Sequence, residues 1–207
     1  MAHPADVSGL RHMLDVREIA AVNIIAVLGK CEGNGGRNDF SRDVAMTSLE
    51  RLLGPRLGIQ PEKVQDRIPF SFSGGTEGVV SPHMLVLSKI GTWRAEKGPK
   101  RLVVGVGQTR PFTPNEIGRM AQIEETARAV REVADTLKLE SLDDVHLVQL
   151  KGAIPPATFE QAEQARLDGK PLRNDMVHSR AASALGVGLA LGEVKPGLLS
   201  DEAVCSD

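Results

Sequence analysis

Apolar residues change their spacing along the chain in a way that separates strands from helices. The uninterrupted apolar run at 23–29 predicts a buried strand that ends at Lys30. The alternation of apolar and polar residues over 67–73 predicts a half-buried strand that ends at Ser73. Similar runs predict further strands at 84–90, 102–107 and 145–150.

Helical spacing dominates the remainder of the first half. A short helix is predicted over 8–20 with Ser8 as its cap, and a glycine-rich loop over 31–39. The next helix is capped by Ser41 or Asp39 and stopped by Gly54-Pro55. Its predicted apolar face consists of Val44, Ala45, Leu49, Leu52 and Leu53.

The second half contains its own helix signals. The sequence Thr113-Pro114-Asn115-Glu116 is a capping box with proline at the first helical position, which predicts a helix from there to Lys138. Further helices are predicted over 158–168, ended by Gly169, and within 174–191.

The order of features in the first half recurs in the second. The same order occurs twice, once with Lys30 and Arg42 and again with Lys151 and Arg180: helix, strand, lysine, loop, Asn-Asp, Ser-Arg and helix. Such an internal duplication predicts two tandem α+β repeats, residues 1–105 and 106–207, each a mixed β-sheet with helices on one face.

Ser73, Gly74 and Gly75 follow a predicted strand, where glycine amides allow a ligand oxygen to approach the backbone closely. A lysine such as Lys30 can deprotonate a serine only if burial or a nearby cation such as Arg42 favours its neutral form. Gly74 N–H can then stabilise an oxyanion. Taken singly, each feature also fits a hairpin turn or a surface lysine, and the recurrence of the pattern is what favours a site.

Composition excludes several functional classes. The net charge of −2, the 3% aromatic content and the absence of tyrosine predict no nucleic-acid partner. No apolar stretch approaches the ~20 residues of a membrane span. Two distant cysteines and five histidines without ligand spacing predict no disulfide framework and no catalytic zinc site. Because the sequence shows no signal peptide, a cytoplasmic location is expected. A homo-oligomer is expected as well.

Three segments resemble the cyanuric acid hydrolase/barbiturase family. They are GKCEGNGGRNDFSR at 29–42, FSGGTEGVVSPH at 72–83, and the pair VHLVQLKG and NDMVHSRAASALG within 145–186. The segment EIGRMAQIEETARAV at 116–130 extends the resemblance across essentially the whole chain. Members of this family are built from three repeats around a pseudo-threefold axis, each giving one lysine, one serine and one arginine to a central site.

The resemblance implies a role for each candidate residue. Arg42, the Ser73-Gly74 pair and Arg180 would hold the substrate. Lys151 would be the base for the nucleophilic serine of the second repeat, and Lys30 with Ser73 would hold and polarise a carbonyl. The implied reaction is hydrolytic ring opening of a cyclic imide or ureide, with cyanuric acid as the first candidate and barbituric acid as the second. This chemistry requires no metal or organic cofactor.

The chain departs from the family pattern in one respect. The resemblance implies that the second repeat is incomplete at its C-terminal end, with its serine expected beyond Asp207 together with a third repeat. Residues 1–207 alone are therefore expected to be inactive or nearly so. A working Lys30–Ser73 dyad would be the exception. The alternatives to an enzyme are a small-metabolite binding module with a chorismate-mutase-like fold, or a fragment that assembles with a separately encoded piece.

Overall fold

The computed structural model of the chain describes residues 1–36, 38–75, 80–89 and 102–205. The chain divides into two compact units, Met1–Lys100 and Arg101–Asp207. The end of the predicted strand at 84–90 and the part of the S-G-G-T-E-G motif after Gly75 lie outside the described residues.

The first unit contains a three-stranded mixed sheet in the order β2-β1-β3. Its strands are β1 (Ile24–Lys30), β2 (Phe70–Ser73) and β3 (His83–Ser88). Strand β1 pairs parallel with β2 and antiparallel with β3. The parallel register places Lys30 opposite Ser73, so two candidate site residues end neighbouring strands.

Phe72 shows how tightly β1 and β2 are fitted. The register pairs it with Gly29, and a Cβ atom added at Gly29 would lie 2.0 Å from Phe72 Cε1. The ring therefore occupies space that only glycine leaves open on the neighbouring strand. The predicted alternation is confirmed on this strand, because Ile68, Phe70 and Phe72 are buried and Ser73 is exposed.

Helices α1 (Ser8–Asp15) and α2 (Ser41–Leu57) complete the first unit. Helix α1 is shorter than predicted, and Ser8 does not cap it but bonds to the Asp6 carboxylate. Helix α2 runs through Pro55 and ends at Gly58 in the left-handed conformation, so the predicted stop at Gly54-Pro55 is wrong. Its buried face matches the prediction except at Val44, which is exposed.

The second unit contains helices α3 (Met120–Leu137), α4 (Phe159–Leu167) and α5 (Met176–Leu191). The predicted capping box between Thr113 and Glu116 is confirmed, but it caps a short 3-10 helix, Pro114–Glu116, rather than α3. Gly118, at φ +67°, separates the two helices. The predicted helix from Thr113 to Lys138 is therefore broken near its start.

Helices α3 and α5 form the core of the second unit. Ile123 and Ala182 are fully buried between them. A Cβ atom added at Gly186 would lie 2.6 Å from Thr126 Cβ and 2.7 Å from the Ile123 carbonyl oxygen. The small residue lets the two helices approach closely.

The strands predicted at 102–107 and 145–150 are not found. No residue of either segment belongs to a β-ladder within the described part of the second unit. Leu102 and Leu147 are 91% and 82% exposed, whereas a buried strand would cover such side chains. The prediction of a mixed sheet is thus confirmed in the first unit and wrong for the described part of the second.

None of the helices in the described ranges is both long and apolar enough to cross a membrane.

Glu125 gives the second unit a testable pH dependence. Its hydrogen bonds from Arg128, at 2.6 and 2.9 Å, lower its pKa to about 2 against the opposing effect of burial. A depressed folded-state pKa stabilises the fold above the unfolded-state pKa, and this stabilisation is lost as pH falls towards about 2. We expect Glu125→Gln to lower the free energy of unfolding by about 1 kcal/mol at pH 7 and by less at pH 3.

Urea unfolding of both proteins at the two pH values measures this difference. The matched control is Glu124→Gln, which removes an exposed carboxylate from the neighbouring position of α3. An equal effect of Glu125→Gln at pH 7 and pH 3 would contradict the assignment.

Candidate active site

The end of strand β1 brings three predicted residues together. Lys30 Nζ donates a hydrogen bond to the Gly74 carbonyl oxygen at 2.7 Å, and Ser73 is the register partner of Lys30. The Ser73 carbonyl accepts the Cys31 N–H at 2.9 Å, which extends the strand pairing by one residue. The exposed serine and the lysine ammonium therefore share one edge of the sheet.

The glycine-rich loop after β1 carries the site towards helix α2. The loop is tied to the end of β2 because Gly75 N–H donates to the Gly33 carbonyl at 2.9 Å. Arg42 is the second residue of α2, and its Nη2 donates back to the Gly36 carbonyl at 2.7 Å. The guanidinium is thus held over the loop that follows Lys30.

Asp39 lies at the centre of this arrangement, with its side chain only 2% exposed. Its Oδ1 accepts the Ser41 N–H at 3.0 Å and the Ser41 hydroxyl at 2.5 Å, and its Oδ2 accepts the Gly35 N–H at 3.0 Å. Arg42 Nε lies 3.9 Å from Oδ2. The N-cap position of α2 is Phe40, so the predicted cap by Ser41 or Asp39 is wrong, although Asp39 accepts the N–H of Ser41, the first residue of the helix.

The same contacts set the charge state of Asp39. The hydrogen bond from the Ser41 hydroxyl lowers the pKa of Asp39 below its usual range, while burial opposes this effect. The backbone N–H groups of Ser41 and Gly35 and the charge of Arg42 lower the pKa further. Asp39 is therefore a buried carboxylate that stays ionised.

The second unit holds Arg180 differently. Arg180 is the fifth residue of α5, whereas Arg42 is the second residue of α2. It lines an open cavity of ≈ 330 Å³ together with Gly152, Ser183, Gly188 and Glu193. Lys151 is exposed and is not among the lining residues, although Gly152 follows it directly.

A buried hydrogen-bond network positions the segment that contains Lys151. Ser179 Oγ donates to the Ala153 carbonyl at 2.7 Å, and Gln122 Nε2 lies 3.1 Å from the same hydroxyl. Gln122 Oε1 also accepts the Gly118 N–H at 2.8 Å. Since Ser179 precedes Arg180, the network joins the chain after Lys151 to the helix that carries Arg180.

The geometry therefore brings part of the predicted set together in the first unit, whereas in the second unit Lys151 does not line the cavity that Arg180 lines. Lys30, Ser73 and Gly74 share one edge, and Asp39 links them to Arg42. The sequence predicts Asp39 only as a helix cap. It contains no local signal for the burial of Gln122, which hydrogen-bonds to Ser179 next to Arg180. Within the described ranges, no three His, Cys, Asp or Glu residues are grouped so that they could hold a metal ion.

The mixed sheet and its flanking helices define an α+β protein with a polar, lysine-bearing sheet edge. The sequence model of one family, described as "Amidohydrolase ring-opening protein", matches residues 1–207. The chain belongs to this family.

Curated relatives carry consistent names. A cyanuric acid amidohydrolase of Bradyrhizobium diazoefficiens is 46% identical over 197 residues, which cover 92% of this chain and 53% of the relative. A cyanuric acid amidohydrolase of Pseudomonas sp. strain ADP is 43% identical over 99% of this chain and 57% of its own length. A protein named cyclic amide hydrolase, from Azorhizobium caulinodans, is 39% identical over 100% and 57%.

Solved structures show the same likeness. A cyanuric acid hydrolase described as an evolutionary innovation by structural concatenation matches with a TM-score of 0.88 and 42% identity, covering 100% of this chain and 58% of its own. The hydrolase from A. caulinodans matches with a TM-score of 0.83 and 40% identity, covering 100% and 57%. The chain spans a little over half the length of the relatives it matches.

Proposed function

We propose that the protein opens the ring of a planar cyclic amide by hydrolysis, with cyanuric acid as the first substrate candidate and barbituric acid as the second. The observation that carries the proposal is the shared edge where Lys30 Nζ lies 2.7 Å from the Gly74 carbonyl beside the exposed Ser73. The names of the relatives support the same reaction class.

The ring itself explains why such residues suit it. Cyanuric acid presents carbonyl oxygens and N–H groups around a flat ring, so a serine hydroxyl and a backbone amide can meet one carbonyl. In our proposal the Ser73 hydroxyl and the Gly74 N–H hold that oxygen, and the nearby Lys30 ammonium polarises it. Arg42 provides a planar cation for an adjacent oxygen, which a lysine cannot match in geometry.

Lys151 and Arg180 form the second proposed set. Lys151 removes the proton from a serine hydroxyl of its own repeat, and the serine oxygen attacks one ring carbonyl. The ring C–N bond then breaks, and the departing nitrogen takes up the proton. Water hydrolyses the resulting ester, which releases the ring-opened acid and restores the serine. Arg180 holds the ring while these bonds change.

Turnover of the two candidate rings tests the proposal directly. We expect the full-length protein to consume at least one of them, measured as loss of ring absorbance and as the mass of the opened product. Ser73→Ala should lower kcat/KM by roughly 10–100-fold, because one contact to the reacting carbonyl is lost. Ser71→Ala, on the same strand and opposite Leu28, is the matched control and should leave kcat/KM unchanged.

Two results would count against the proposal. Consumption of neither ring by the purified full-length protein would refute ring hydrolysis. If Ser73→Ala and Ser71→Ala were equally active, the proposed role of Ser73 in holding the carbonyl would be wrong, whereas the proposed reaction class would stand.

A further inference from the structure

Asp39 is a buried charge whose position is not explained by its hydrogen bond to the first N–H of α2 alone. A buried carboxylate destabilises a fold unless several donors compensate the lost hydration. Asp39 receives three such donors, from Gly35 N–H, Ser41 N–H and the Ser41 hydroxyl, and has Arg42 at 3.9 Å. An exposed carboxylate could accept the first N–H of α2 without this cost, as the Asp175 carboxylate, 53% exposed, accepts the His178 N–H at the start of α5.

The carboxylate also packs against the turn that follows Ser73. A Cβ atom added at Gly74 would lie 1.9 Å from Asp39 Oδ2, so the carboxylate fills the space where a side chain would otherwise stand. The carbonyl of the same glycine accepts the hydrogen bond from Lys30. Asp39 therefore touches the loop, the start of α2 and the Ser73–Gly74 turn at once.

We propose that Asp39 is a positioning residue that fixes the guanidinium of Arg42 relative to the Ser73–Gly74 turn, so that both can contact one planar ring. The inference rests on the proposed function, because it assigns Arg42 and Gly74 to substrate binding. It concerns binding geometry rather than proton transfer, since Asp39 is enclosed by its own donors and does not reach the exposed edge.

The requirement for a carboxylate follows from the donor count. The donors around Asp39 approach both of its oxygens, with Ser41 on Oδ1 and Gly35 on Oδ2. An asparagine accepts hydrogen bonds at one atom only, and its NH2 group would face an N–H or O–H donor. Asp39→Asn therefore keeps the shape of the side chain but places its NH2 group opposite either the Gly35 N–H or the donors of Ser41. Two donors cannot hydrogen-bond to each other, so either the loop or the start of α2 must move.

Steady-state kinetics of Asp39→Asn test this role. We expect kcat/KM for the ring that the wild-type protein consumes to fall by roughly 10–100-fold, with most of the change in KM, because misplacement of binding groups weakens substrate capture. Asp43→Asn is the matched control, since it removes an exposed carboxylate from the same first turn of α2. Its KM should stay at the wild-type value.

A double substitution separates positioning from general destabilisation. If Asp39 acts through Arg42, Asp39→Asn should raise KM less in an Arg42→Ala background than in the wild type. A purely structural role would raise KM by the same factor in both backgrounds, which would overturn the inference. Unchanged KM and kcat in Asp39→Asn would overturn it as well.

Two further measurements keep the inference testable. If Asp39→Asn does not fold, Ser41→Ala removes one donor and retains the charge of Asp39. We expect Ser41→Ala to raise KM several-fold, and an unchanged KM would refute the positioning role.

If the full-length wild-type protein consumes neither ring, the proposed function fails, but the positioning role of Asp39 can still be tested. In that case the 1H–15N NMR resonances of Arg42 Nε and of the Gly74 amide test whether Asp39 positions these two groups. Asp39→Asn should shift both resonances more than Asp43→Asn does, and equal shifts would overturn the inference.

Discussion

Replacing Lys151 with alanine is expected to lower kcat by roughly 10²–10⁴-fold while KM stays within a few-fold of the wild-type value. The reason is that the proposed base removes a proton only during the chemical step, so its loss raises the barrier without removing a ground-state contact. Steady-state kinetics with the consumed ring, and binding of the intact ring measured by calorimetry, distinguish the two quantities.

The controls separate a base from other lysines. Lys170→Ala removes an exposed lysine from the same unit and should leave both constants unchanged. Lys30→Ala should raise KM as well as lower kcat, because Lys30 is proposed to hold a carbonyl. A protein that only binds small metabolites would lose affinity and show no kcat effect, so loss of binding alone in Lys151→Ala would favour that alternative.

Gly74→Ala is expected to have the second largest effect. The new methyl carbon would lie 1.9 Å from Asp39 Oδ2 and 2.8 Å from Gly35 N, distances at which the carboxylate or the loop must move. Overpacking of this kind destabilises a fold by about 1–3 kcal/mol. Because Gly74 also accepts the Lys30 hydrogen bond, we expect kcat/KM to fall by at least about 10-fold as well.

Thermal unfolding and steady-state kinetics measure the two parts of this prediction. The matched control is Gly9→Ala, where the added Cβ meets no atom within 4 Å and the residue lies in helix α1. That substitution should stabilise the protein by up to about 1 kcal/mol, because alanine favours helix. A Gly74→Ala protein with wild-type stability and activity would show that the contact with Asp39 is not restrictive.

Local signals predicted that the helices exist more accurately than they predicted the ends of the helices. The helix predicted over 158–168 is observed as Phe159–Leu167 with Gly169 just beyond it, and the helix predicted within 174–191 is observed as Met176–Leu191. These features depend on residues within one or two turns of each other, so the information is contained in a short stretch. The same is true of the alternation in β2.

Strands outside the first sheet could not be predicted in this way. An apolar run such as 145–150 shows that a segment can pair, but a strand forms only where another strand supplies the backbone partners. Leu147 and Leu150 are exposed, so in this unit the apolar run is not covered by a sheet. The number and position of partner strands is a property of the tertiary structure.

The two Asn-Asp pairs show most clearly which properties can be predicted from the sequence and which depend on tertiary packing. By itself the sequence determined that a helix follows each Asn-Asp pair, that lysines and arginines recur in the same order, and the family to which the chain belongs. Only the tertiary structure decided that Asp39 is buried and Asp175 exposed. The cause is packing: the loop after Lys30 bonds to the end of β2 and encloses Asp39 against Gly74, whereas Asp175 remains open to solvent beside His178.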